Sequence, residues 1–467
     1  MRFSMVVGII LLALNGCQVV KNEVPASSNV TDQKVYSYQL GNGMNILVQP
    51  DHRSPVVVSQ VWYKVGGSYE YDGVTGVSHA LEHMMFKGTN KYRAGEFSEI
   101  IAANGGSENA FTGKDYTAYH QRIASDRLEL CLKLEADRMR NLVLDENEFK
   151  KEIEVIKEER RTRTDDNPTA LTYERFNAVA FLNSSYHQPI IGWMDDLDAM
   201  TIDDLKSWYQ TWYAPNNATL VVHGDVQPQQ VYQLAKRYFG SIEPSEIAAL
   251  KPRIEVQQQG ERRVTVRAPA KVPYLLMGYK APVLKTVEDD WEVYALEVLA
   301  GVLDGGGSSR LTQQLVRKQG VASQASAGYS LYDRQTTLFL LDAAPRAKST
   351  VQQLEQALIK EIEKIKRQPP AVDELERVKA QVMAHSVYEQ DSAFYQAMQL
   401  GILETVGLGW QAKQQYLDKI QSVTPEQVQA VARKYLTQDQ LTVAILDPLP
   451  IDDAKPRAAL GGGRHGR

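Results

Sequence analysis

The chain has 467 residues, 43% of them hydrophobic and 23% charged, with a net charge of −5. That length exceeds one ordinary hydrophobic core and requires several domains. The mild acidity excludes the basic surface of a nucleic-acid binder, and two cysteines, Cys17 and Cys131, exclude a disulfide framework.

The first residues read as a targeting segment. Arg2 supplies a short positive region, and Val6 to Leu14 is an apolar run too short to span a bilayer comfortably. It ends in Leu14-Asn15-Gly16-Cys17, which resembles a bacterial lipobox. Residues 1–17 are therefore read as a lipoprotein signal peptide with Cys17 as the lipidated residue, and residues 18–34 as a polar tether. A plain secretory signal or an uncleaved anchor would also put the protein outside the cytoplasm. Gln18, not Asp, follows the cysteine. The expected location is the periplasmic side of a bacterial envelope, held to the outer membrane through the lipid.

Val35 to Val48 reads as strand, tight turn at Gly41-Asn42-Gly43, and strand. Pro55 to Val65 is another strand, rich in valine and aromatics. Gly76 to Phe86 is a helix that Thr75 can cap, with Gly88 at its stop. A short helix from Glu96 to Ala103 precedes strands at Ser107 to Thr112 and Thr117 to Ile123, joined through Gly113-Lys114-Asp115. Ser125 to Leu142 is a helix with Cys131 on its apolar side, read as a small core residue. Asp145 opens the next helix, which runs to about Arg163. Helices at Ala170 to Phe181 and Thr201 to Trp212, a strand at Ala218 to His223 and a helix at Gln230 to Phe239 follow.

Ser241 to Gly260 is a polar connection, with the linker placed at residues 246–261. The pattern then restarts with strands at Arg262 to Arg267 and Tyr274 to Tyr279 and a helix at Asp289 to Leu303. Leu197 to Val222 aligns without gaps on Ile420 to Ile445, each copy a capped helix, short turn and strand. This repeat predicts a duplicated α+β chain, with halves at 35–245 and 262–448 and a disordered tail at 449–467.

The helix at Gly76 carries the chemistry. His79 and His83 are four apart, so both rings leave one side of the helix. Two such imidazoles are ready-made zinc ligands, and Glu82 beside them can take a proton from zinc-bound water. H-x-x-E-H inverts the usual zinc-protease order. Two histidines merely satisfied on a helix face remain the alternative. Zinc needs a third protein ligand. On the helix after Asp145, Glu152 and Glu159 fall on the stripe of Phe149, Ile153 and Ile156. A carboxylate there is costly unless it meets a cation or donor. Glu159 as ligand would remove that cost, and Glu152 could hydrogen-bond a ligating histidine. A Glu-rich solvated helix with an imperfect stripe is the alternative reading.

His79-x-x-Glu82-His83, with Glu159 following in Glu158-Glu159-Arg160, resembles the pitrilysin/insulinase-type zinc peptidases and the processing-peptidase group. Glu152 matches that family's extra acid, and Glu108-Asn109-Ala110-Phe111-Thr112 resembles its edge strand, where Asn109 and Ala110 would hold an extended substrate by strand addition. The resemblance covers about Val35 to Leu446. It implies an α+β fold of two homologous halves, each a mainly antiparallel sheet packed with helices, enclosing a chamber for unfolded peptides. It implies one Zn2+ per chain on His79, His83 and Glu159, with Glu82 as general base and later proton donor to the leaving amine.

The chain departs from the family at one place. Self-sufficient members carry an arginine and, seven residues later, a tyrosine after the glycine-rich turn of the second half. Here those positions hold Val316 and Ser323, with Arg310 and Arg317 out of register. The expectation is a zinc endopeptidase of oligopeptides or small unfolded proteins, with a homologous partner supplying Arg and Tyr, or a homodimer. A non-catalytic binding or assembly subunit is the competing expectation.

Overall fold

The computed structural model describes residues 34–251 and 253–451. The expected signal segment with Cys17, the tether up to residue 33 and the tail from residue 452 lie outside them. Among the described residues no helix is long and apolar enough to cross a membrane.

The first sheet is built from β1 (Tyr36–Gln39), β2 (Asn45–Pro50), β3 (Val56–Tyr63), β4 (Ser107–Thr112), β5 (Thr117–Ala124) and β6 (Ala218–Gly224). Between these strands run α1 (Val77–Met84), α2 (Glu96–Ala103), α3 (Leu128–Asn141), α4 (Glu146–Arg160), α5 (Pro168–Ala180), α6 (Met194–Ala199) and α7 (Ile202–Trp212), and α8 (Pro228–Phe239) follows β6. The second sheet comes from β7 (Arg262–Pro269), β8 (Tyr274–Ala281), β9 (Ala322–Gly328), β10 (Thr337–Pro345) and β11 (Leu441–Leu449). Its helices are α9 (Trp291–Asp304), α10 (Val351–Arg367), α11 (Val372–Glu389), α12 (Ala393–Thr405), α13 (Ala412–Ser422) and α14 (Pro425–Tyr435).

The strand orders are β1-β2-β6-β3-β5-β4 and β7-β11-β8-β10-β9. Apart from β1, each strand of the first sheet has its counterpart in the second. In both, one parallel pair, β2 with β6 and β7 with β11, interrupts an antiparallel sheet. The repeat seen in the sequence is therefore a repeat of topology. Thr201 and Thr424 each close a capping box, at the starts of α7 and α14. The mixed α+β fold of two related halves expected from the sequence is the fold observed. The expected tail starts too early, because Leu449 still pairs with Pro269 in β11.

Each sheet is covered on both faces, which is why β3, Val-Val-Val-Ser-Gln-Val-Trp-Tyr, is apolar almost throughout. One face of the first sheet carries the main core, with Val57, Val61, Leu220 and Val222 against its own helices. The other face, Leu47, Val58, Trp62 and Val221, is covered by Ala397 and Leu400 of α12. The second half returns the arrangement: Phe176 and Ala180 of α5 cover Leu276, Leu338 and Ala444 of the second sheet. Each half thus lends a helix to the other's sheet. Two glycines permit the approach. A Cβ on Gly401 of α12 would lie 2.0 Å from Trp62 Cε2, and one on Gly278 of β8 would lie 2.6 Å from Phe176 Cζ.

Candidate metal centre

α1 crosses beneath the end of the sheet with Val77, Ala80, Leu81 and Met84 in the core, which leaves His79, Glu82 and His83 on one flank. Its start differs from expectation. Gly76, with φ of 88°, takes the N-cap position, and the Thr75 hydroxyl instead donates to Asp196 Oδ2 at 2.5 Å. The open N–H groups of Gly76 and Ser78 donate to the buried carboxylate of Glu70 at 2.7 and 2.8 Å. Burial pushes the Glu70 carboxyl up to about 7, while these two donors pull it back. An acid six residues before Gly76 does what the adjacent threonine was expected to do, because the intervening turn folds Glu70 back onto the helix start.

α4 begins under the Asp145 side chain, which accepts from the N–H of Asn147 and Glu148. Its ordinary helical turn ends at Arg160, three residues before the expected stop, and residues 161–165 widen into a π turn. Phe149, Ile153 and Ile156 are buried, and Glu152 and Glu159 stand on their flank facing α1. Buried Arg160 holds the helix end in place by donating to Glu174 of α5 at 2.7 and 3.1 Å and to the Gly192 carbonyl at 2.9 Å.

The rings of His79 and His83 lie 4.8 Å apart, centroid to centroid. Glu159 Oε2 is 3.9 Å from His79 Nε2 and 3.4 Å from His83 Nε2. Nitrogen and oxygen ligands about 2.0–2.1 Å from a tetrahedral zinc stand roughly 3.4 Å from one another. The two imidazoles and the carboxylate therefore fit a zinc ion in type and in spacing, and they are the group of metal-capable donors that converges among the described residues. Glu152 Oε2 lies 3.2 Å from His83 Nδ1, which leaves Nε2 turned to the shared point. Burial raises the Glu159 carboxyl, but His83, His79 and Arg163 outweigh it and hold it down to about 2. It is an ionised ligand-type oxygen.

Glu82 does not face that point as a fourth donor of the group. Its Oε2 accepts from the Thr112 hydroxyl at 2.5 Å, which ties it to β4. Burial pushes its carboxyl up, and the Thr112 hydroxyl opposes the shift.

These groups line a cleft of about 630 Å3 together with Asn109, Ala110, Phe111 and Thr112 of β4. β4 is the last strand of its sheet, so its outer edge has no strand partner among the described residues. Asn109 is exposed there, and its Oδ1 accepts from the Ala110 N–H at 2.9 Å. The structure thus brings His79, His83, Glu159, Glu82, Asn109 and Ala110 to one cleft, with Glu152 behind His83. Sequence reasoning missed Lys114, Arg163, Tyr173 and His187 of the same cleft. The charged turn Gly113-Lys114-Asp115 was the signal for the first of these.

The family model for insulinase, peptidase family M16, matches residues 45–192, and that for the peptidase M16 inactive domain matches residues 199–382. The zinc protease PqqE of Helicobacter pylori is 33% identical over 390 residues, covering 82% of this chain and 85% of that protein. The chain belongs to peptidase family M16. The uncharacterized zinc protease YmxG of Bacillus subtilis is 27% identical over 413 residues, covering 88% of this chain and 98% of that protein. The crystal structure of a protease from Helicobacter pylori superposes with a TM-score of 0.84 at 31% identity, over 89% of this chain and all of that one. The periplasmic protease PqqL from Escherichia coli shares the fold with a TM-score of 0.76 at 19% identity, over 91% of this chain and 49% of that one.

Within this M16 chain the donors sit in the first half, and the match to the inactive domain falls mainly on the second. The two departures noted in the sequence are structural residues here. Val316 packs at the edge of the second core, and the Ser323 hydroxyl donates to the Ala344 carbonyl at 3.1 Å. Arg310 is spent on Glu374, donating from Nε and Nη2 at 2.7 Å each.

Proposed function

We propose that this chain is a zinc-dependent endopeptidase that hydrolyses oligopeptides or small unfolded proteins. The observation that carries the reading is the convergence of His79, His83 and Glu159 with Glu82 alongside, at the foot of an open strand edge. A zinc ion on those three donors would supply an activated water and polarise a peptide carbonyl. Glu82, held by Thr112, is placed to accept the proton of the attacking water and to return it to the leaving amine. Glu152 orients His83. The edge of β4 at Asn109 and Ala110 is suited to hold an extended substrate by main-chain hydrogen bonds.

The absence of a guanidinium at Val316 and of a phenol at Ser323 supports a two-subunit enzyme in which a homologous partner, or a second copy, supplies them. The same two residues favour the second reading, a non-catalytic binding or assembly subunit that kept the fold. The leading sequence ending in Cys17 supports a lipid-anchored protein on the periplasmic side of the envelope. Residues 35–245 would be the zinc-binding domain and 262–448 its inactive counterpart, joined by residues 246–261.

Zinc analysis and peptide hydrolysis on wild type and Glu82→Gln separate the readings. One zinc per chain in both, cleavage by wild type and none by the variant, supports the peptidase. Full zinc with no cleavage by wild type, even with a partner present, supports the binding subunit.

A further inference from the structure

Lys114 lies two residues beyond the end of β4, in the turn that joins β4 to β5, and lines the same cleft as the metal donors. Its backbone is fixed. The Lys114 carbonyl accepts from the Ser68 N–H at 2.7 Å, and the Gly113 carbonyl accepts from the Gly67 N–H at 3.1 Å. Its ammonium stands over the Tyr186 ring at 4.4 Å and near Phe181 at 6.0 Å.

No ion pair holds this ammonium among the described residues. Two acids stand near it: Asp115 is paired with Arg334, and Asp333 acts on Lys114 by charge from beyond salt-bridge distance. Asp115 receives Arg334 Nε at 2.9 Å, the Ser68 hydroxyl at 2.6 Å and the Tyr186 hydroxyl. Asp333 accepts from the Ser330 hydroxyl at 3.2 Å. Burial lowers the Lys114 ammonium, and the charges of Asp333 and Asp115 oppose the shift without either acid closing a salt bridge to it. An ammonium at the cleft wall with no carboxylate in salt-bridge contact can take one from a ligand. The cleft's own carboxylates offer none: Glu159 faces the histidines, Glu82 faces Thr112 and Glu174 is paired with Arg160.

The position fixes what the ligand would be. A strand added to β4 opposite Thr112 passes the Glu82 carboxylate, and Lys114 is at most about 7 Å of backbone further along. His187 lines the same cleft and donates through Nδ1 to the Ser184 carbonyl, which leaves Nε2 for a ligand.

We propose that Lys114 is a specificity-determining residue, selecting substrates that carry a carboxylate within about two residues of the bond cut. This rests on the peptidase reading above. The carboxylate has two sources, an Asp or Glu side chain or the free C-terminus of a short peptide.

The test uses the full, zinc-loaded chain with the Lys114→Met variant, which keeps the side chain's length and removes its charge, and the reversed variant Lys114→Glu. Peptides differ only by Glu against Gln at each position flanking the cleavage site, each made with a free and an amidated C-terminus. Wild type should favour the Glu peptide by about tenfold in kcat/KM. Lys114→Met should lose that preference, read as the ratio of kcat/KM for the Glu and Gln peptides, and Lys114→Glu should prefer a Lys peptide. A preference that follows amidation and not Glu assigns the C-terminus. Equal rates for all peptides with wild type, or an unchanged preference in Lys114→Met, overturns the proposal. Binding of the same peptides to Glu82→Gln, followed by fluorescence anisotropy, reads the preference without turnover. If nothing is cleaved yet Glu peptides bind better through Lys114, the peptidase reading fails and the selectivity stands.

Discussion

Glu152 Oε2 stands 3.2 Å from His83 Nδ1, two turns of α4 before the acid that meets His83 on its other side. One ring is gripped between two carboxylates of the same helix. Nδ1 is committed to Glu152, so Nε2 is the nitrogen left for a metal, and the ring cannot rotate without losing that contact. Removing the charge of Glu152 while keeping its shape should therefore weaken metal binding and not abolish it. Glu152→Gln is expected to lower zinc affinity about 10- to 100-fold. Competition against a chromophoric chelator reads this directly, and an affinity equal to wild type would remove Glu152 from the site.

Thr112 makes a separate prediction because it touches Glu82 and none of the three donors. Its hydroxyl is 2.5 Å from Glu82 Oε2. Thr112→Val keeps the volume and deletes the donor, leaving a buried carboxylate short of one hydrogen bond. We expect kcat to fall about tenfold with KM and zinc content near wild type, and Thr112→Ser to restore most of the rate. A drop in zinc content that matches the drop in rate would show instead that β4 supports the metal site as a whole.

The site was more legible in the sequence than the packing that holds it. His79 and His83 share a helix, so a fixed spacing of four decides their geometry. Glu152 and Glu159 share another, so their place on an apolar stripe could be read by period alone. What could not be read crosses between elements. Glu70 replaces Thr75 at the start of α1 because the chain folds back there. The exchange of α5 and α12 between the sheets depends on which face of β3 or β8 each meets, and a strand apolar on both faces does not say. The clue left in the sequence was the pair of glycines, Gly278 and Gly401, and a glycine inside an element has several meanings. Lys114 is similar: a charged turn looks solvated until Tyr186 and Asp333 are brought beside it.

Arg334 reaches from the second half into the first. Its Nε donates to Asp115 Oδ1 at 2.9 Å and its Nη2 to the Ser68 hydroxyl at 2.6 Å, with the guanidinium 4.4 Å from the Tyr69 ring centroid. Asp115 is 3% exposed, so Arg334→Met would leave a buried carboxylate without its cation. The expected loss is about 3–5 kcal/mol of folding stability, measured by urea unfolding. Adding Asp115→Asn should return part of that loss, since the stranded charge is then gone. If the double variant is no more stable than the single one, the pair acts by packing and not by charge.

Glu297 gives the second half a pH dependence of its own. It is set on α9 facing Tyr416, whose hydroxyl donates to Oε1 at 2.5 Å. Burial raises its carboxyl from 4.5 to about 7, with Glu389 pushing the same way and the Tyr416 hydroxyl opposing. The folded state thus binds a proton that the unfolded state releases between those two values. Below pH 4.5 both states are protonated and the group is neutral in the balance. As pH rises toward 7 the folded state loses stability relative to the unfolded one, by an amount on the order of 3 kcal/mol once both are ionised. Glu297→Gln keeps an acceptor for Tyr416 and has no proton to lose. Urea unfolding at pH 5 and pH 8 should therefore show wild type losing more stability across that interval than the variant, by a few kcal/mol. Parallel losses in the two proteins would mean that Glu297 ionises in the folded chain as it does in water.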